Sequence, residues 1–174
     1  MEDKIITILI AAITATITTL LVEPIKLWLQ NRFSEKSLEN KRTRKHDVEL
    51  FNSLSKIFPE ATLRATMYSI KVNAEFYYDY IPASNMYQLF IEQYEEGKFI
   101  NEEINESHSK FLESLRNLEQ DLFEDFTSSG KKYKPNEQNG MTKDQIKEKY
   151  KPLVEKVLSN YSEYRKLIKL NYQI

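Results

Sequence analysis

The sequence predicts an all-α protein, with one N-terminal transmembrane helix followed by a cytoplasmic antiparallel bundle of four to five helices. Three observations carry this. Residues 5–22 hold no charged side chain; apolar residues elsewhere recur at steps of three and four; and the 174 residues include only three glycines and five prolines. Few turn formers and a 3.6-residue period favour helices over hairpins. With 29% charged and 12% aromatic residues, the chain has the composition of a folded domain.

The first element is the span itself. Eighteen residues from Ile5 to Val22 rise about 27 Å as a helix, close to the roughly 30 Å hydrocarbon core of a bilayer. A cleaved leader is disfavoured because the start, Glu2-Asp3-Lys4, is not basic and no small-x-small site stands near Val22. Burial in a soluble core is the other reading, since the segment carries five threonines. Residues 1–33 form the expected anchor, interfacial as far as 29, with Trp28 and Arg32 as interfacial anchors and Pro24 as a place for a kink. Basic residues gather after the span, including the membrane-proximal Lys41, Arg42, Arg44 and Lys45. Positive charge resists export, so the N-terminus is expected outside and the bundle in the cytoplasm. Thr7, Ala11, Ala15, Thr18 and Thr19 make one side of the span small and hydroxylated, a face suited to helix association in lipid.

Residues 34–58 read as a basic juxtamembrane helix, with Val48, Phe51, Leu54 and Phe58 at helical spacing. Residues 59–174 read as the bundle. Pro59 opens a helix whose stripe runs through Leu63, Met67, Ile70, Ala74, Tyr77 and Ile81, until Pro82 breaks it. Ser84 is expected to cap a short helix ending near Gly97. Asn101 caps the next, whose face Ile104, His108, Phe111, Leu115, Leu118, Leu122 and Phe126 is the strongest period in the chain. Residues 127–140 read as an exposed loop. Thr142 and Gln145 form a capping box for the last helix, with a kink or break expected at Pro152.

Chemistry is harder to find. The absence of cysteine excludes disulfides, thiolate catalysis and cysteine-ligated metals. No Gly-rich phosphate loop or H-E-x-x-H pattern occurs, and Asn105 stands where a Glu-x-x-His pair would need its acid. His46 reads as solvated and His108 as a core histidine. No catalytic site, cofactor, metal, small-molecule substrate or nucleic-acid partner is expected.

Two features point to partners instead. Residues 75–125 hold thirteen acidic and three basic side chains, whereas residues 131–169 hold eleven basic and five acidic. Lys131, Lys132 and Lys134 are therefore a possible partner surface, joined by Tyr78, Tyr80 and Tyr87 around Pro82. The leading expectation is a single-pass module for protein–protein interaction or self-assembly at the cytoplasmic membrane, touching membrane lipids and a protein partner or its own copies. The alternative is a small membrane-active effector of toxin, stress or phage-exclusion type, whose spanning helices oligomerise to perturb the bilayer.

Overall fold

The computed structural model describes residues 23–93 and 98–174. The chain divides into two units, residues 1–43 and residues 44–174. The expected span 5–22, with Thr7, Ala11, Ala15, Thr18 and Thr19, lies outside the described residues. Among the described residues, no helix is long and apolar enough to cross a membrane.

The described chain is predominantly helical: α1 Glu23–Ile57, α2 Glu60–Asn73, α3 Tyr80–Gln93, α4 Glu102–Asp125 and α5 Lys143–Tyr172. In the first unit, α1 exposes Ile25, Trp28, Leu29 and Phe33, and the Arg32 guanidinium sits 5.1 Å from the Trp28 ring centre. In the second unit, α5 is the central element, packed against both α4 and α2. Its Tyr150, Val154, Val157, Tyr161, Tyr164 and Ile168 are buried, as are Ile104, Phe111, Leu115, Leu118 and Leu122 of α4. The α4 set is the face that the three- and four-residue spacing marks; on α5 the spacing marks Ile146, Tyr150, Leu153, Val157, Tyr161, Tyr164 and Ile168, and the structure buries Val154 while leaving Leu153 half-buried. Leu50, Phe51 and Leu54 bring the last turns of α1 into the same core.

The helix ends follow local chemistry. Asn101 accepts from the Ile104 N–H at 3.1 Å and caps α4. At α5, Thr142 Oγ1 accepts from the Gln145 N–H while the Gln145 side chain accepts from the Thr142 N–H, completing the capping box. Pro152 interrupts nothing: α5 is one helix through it.

Three expectations are corrected. The second stripe does not run to Ile81, because Ala74 adopts a left-handed conformation (φ 51°) and ends α2. Pro82 accordingly falls in the first turn of α3, where a missing N–H costs nothing. Ser84 lies within α3 rather than capping it. Residues 127–140 are not simply a loop. Phe126–Ser129 (β2) and Lys132–Pro135 (β3) form an antiparallel hairpin, and Phe76–Tyr77 (β1) pairs with the other edge of β3. The turn is Gly130-Lys131, with Gly130 at φ 67°. A positive φ at the first of two turn residues matches the strand twist, and glycine adopts it without a Cβ clash.

Candidate functional site

The hairpin brings together residues that are far apart in sequence. Register pairs Tyr77 with Lys132 and Phe76 with Tyr133, and the Tyr78 N–H donates to the Lys131 carbonyl at 3.1 Å. Successive strand residues face opposite ways. On the inner side Tyr133 stacks on Phe76, with ring centres 4.8 Å apart, and parallel to Tyr78 at 6.1 Å. On the outer side the Lys132 ammonium sits 4.9 Å from the Tyr77 ring centre and pairs with Glu75 at 2.6 Å. That ion pair holds the Lys132 ammonium above its ordinary pKa. Lys131 and Lys134 are exposed, with no acceptor for either ammonium among the described residues. Tyr77, Tyr78, Asp79, Gly130 and Lys131 line an open depression of about 400 Å³.

Of the residues singled out from sequence, Tyr78, Lys131, Lys132 and Lys134 thus share one surface. Tyr80 and Tyr87 do not. They are 1% and 3% exposed, because α3 turns them inward against Phe58 at ring distances of 5.7 and 5.5 Å. Tyr77, assigned by its spacing to a buried stripe, is instead half exposed on the outer face of the sheet. Sequence reasoning missed Tyr77, Asp79 and Gly130; the one local signal was the turn dipeptide Ser129-Gly130.

The other chosen residues separate as well. Trp28 and Arg32 are exposed on α1. Lys41 and Arg42 are exposed, whereas Arg44 donates to the Tyr172 carbonyl at 2.9 Å and Lys45 reaches Glu49 at 4.0 Å.

The carboxylates Asp47, Asp125 and Glu119 and the two histidines each have a structural partner. Asp47, fully buried, accepts from the backbone N–H groups of Ile100 (2.8 Å) and Asn101 (3.0 Å) and from the Tyr172 hydroxyl (2.6 Å). His46, expected to be solvated, is half-buried with Nδ1 3.0 Å from the same carboxylate. Asp125 accepts from Lys149 at 2.6 Å and from the Tyr150 hydroxyl at 2.9 Å. Glu119 accepts from Ser84 and from Gln88 at 2.5 Å, and burial lifts its carboxyl above the usual range. His108 lies among Tyr87, Phe99, Phe111 and Tyr164, with Nε2 2.8 Å from the Tyr87 hydroxyl. Burial lowers its pKa to about 3. It is a neutral core histidine at physiological pH. Among the described residues, no group of three or more histidine or carboxylate side chains is arranged to hold a metal ion.

No family model, curated protein or solved structure matches the chain.

Proposed function

We propose that the chain is a single-pass membrane-tethered helical module, anchored by residues 5–22, which presents its hairpin to a protein partner at the cytoplasmic face. The observation that carries the binding half is the exposed surface of the hairpin. Tyr77, Tyr78 and Lys131 line one open depression, and Lys134 stands exposed on the same hairpin. Tyrosine rings supply contact area at low conformational cost, and unpaired lysines at their edge favour an acidic segment. The buried carboxylates and His108 support the same reading, since each already has hydrogen-bond partners inside the fold.

The tether half rests on the uncharged run from Ile5 to Val22 and on the basic residues after it. Trp28, Arg32 and Phe33 on α1 suit the interface. Lys41 lies 18 residues beyond Glu23, about 27 Å along a helix axis. In this reading Lys41, Arg42, Arg44 and Lys45 determine orientation rather than grip lipid.

A photo-crosslinking residue at Tyr78, with one at the exposed Tyr68 of α2 as control, tests the binding half in native membranes. The module reading expects a defined adduct, to another protein or to a second copy, from position 78 and not from position 68. No adduct at 78, or the same adducts at both positions, contradicts it.

A further inference from the structure

We propose that the groove between the start of α2 and the C-terminal third of α5 binds a phosphoryl group, carried by a soluble phosphate compound or by a lipid headgroup. It is a concavity of about 280 Å³ lined by Glu60, Arg64, Ser162, Arg165, Lys166 and Lys169, among others. Four cations thus face one carboxylate in a chain whose net charge is −1. The excess is local and is not the spill-over of a basic protein.

The two arginines are held in place. Arg165 lies 5.1 Å from the Phe51 ring centre and 5.5 Å from that of Tyr161, donates to the Tyr161 hydroxyl at 2.9 Å, and reaches Glu60 at 3.1 Å. Arg64 spends its Nε on Glu60 at 2.7 Å and keeps both terminal nitrogens for another acceptor. Glu60 orients two guanidinium groups without neutralising the site. Its pKa is held down first by the Arg64 hydrogen bond, then by the charges of Arg165, Arg64 and Lys169 against its own partial burial. Lys166 and Lys169 are exposed, with no acceptor for either ammonium among the described residues. The N-cap of α2 is Pro59, which offers no side-chain acceptor, so the positive end of that helix adds to the same field.

This arrangement suits a phosphoryl group better than a carboxylate. Guanidinium forks pair bidentately with phosphate oxygens, while the lysines act as point charges that reward a second negative charge. The Ser162 hydroxyl adds a neutral donor at the wall.

The test uses the full-length chain in neutral detergent, with lysine-directed labelling read by mass spectrometry while inorganic pyrophosphate is titrated. A second arm uses vesicles of phosphatidylcholine with and without phosphatidylglycerol. The site predicts saturable protection of Lys166 and Lys169, with labelling slowed roughly tenfold once ligand stands tenfold above Kd. Lys131 and Lys134 serve as unprotected internal controls. Protection by pyrophosphate identifies a soluble source; protection only with phosphatidylglycerol identifies a headgroup. In the pyrophosphate arm, Lys166→Ala with Lys169→Ala abolishes the ligand-dependent rise in Tm, whereas Lys131→Ala with Lys134→Ala preserves it. Unchanged labelling in both arms overturns the proposal, and so does equal slowing at all four lysines, which is general charge screening. The pyrophosphate arm does not depend on membrane insertion, so its outcome holds even where the tether reading fails.

Discussion

Asp47→Ala is the substitution expected to damage the bundle most for its size. Asp47 is fully buried and joins two distant segments to its own helix: the N–H groups of Ile100 and Asn101 before α4 and the Tyr172 hydroxyl at the end of α5, with His46 beside it. Removing the carboxylate strands two backbone donors and a phenol, each costing about 1–3 kcal/mol when unsatisfied. Water entering beside the half-buried His46 recovers part of this, which leaves a loss of about 3–5 kcal/mol, the range for a broken buried network. Such a loss is a large fraction of the roughly 5–15 kcal/mol that holds a domain together. Asp47→Asn keeps one acceptor oxygen and is expected to lose about half as much. The assay is denaturant unfolding of the full-length chain in neutral detergent, with hydrogen exchange at Ile100 and Asn101 as the local readout. A stability for Asp47→Ala within about 0.5 kcal/mol of wild type, or no faster exchange at those amides, refutes this role for the carboxylate.

Other consequences follow from single groups. His108, with its folded pKa lowered to about 3, stays neutral in the native state while the unfolded imidazole protonates near 6.5. Stability is therefore full above pH 6.5 and falls as pH drops toward 3, by up to about 1.4 kcal/mol per unit from this residue; His108→Phe should flatten that limb in pH-dependent unfolding. Glu119, raised by burial, acts in the opposite sense, losing stability as pH rises through the gap between its unfolded and folded values. Glu119→Gln is expected to remove that dependence at a cost of under about 1 kcal/mol at neutral pH, checked by the same titration. Pro152→Ala restores an N–H inside a continuous α5 and is expected to raise Tm, by up to about 3 kcal/mol of stability. Gly130→Ala puts a Cβ on a residue at φ 67° with open space around it, so the expected loss of about 1 kcal/mol is backbone strain alone; it should loosen the hairpin amides in hydrogen exchange.

The parts of this fold legible in the sequence are those governed by neighbours within one or two turns. The α4 and α5 stripes, the Asn101 cap and the Thr142–Gln145 box all depend on residues three or four positions apart. What escaped depends on distant partners. β1 has two residues and β2 and β3 four each, too few for alternation to show, and the pairing of Tyr77 with Lys132 spans 55 positions. Nothing in Asn73-Ala74-Glu75 marks a left-handed residue, so the α2 stripe read as continuing. Tyr80 and Tyr87 read as surface residues because tyrosine serves both roles; only the packing of α3 against Phe58 and α4 decides it. Asp47 looked like one more charge in a basic stretch, since its partners Ile100 and Tyr172 lie 53 and 125 residues away.

The proposed module depends above all on residues 5–22 crossing the membrane and leaving the hairpin on the cytoplasmic side, and the cysteine-free sequence offers a direct measurement. Single cysteines are placed at Glu2 and at Ser129, and whole cells are treated with a membrane-impermeant maleimide before and after lysis. A tethered module is expected to be a carbonate-resistant membrane protein, labelled at position 2 in intact cells and at position 129 only after lysis. Recovery in the soluble fraction, or labelling of position 129 from outside, contradicts this topology.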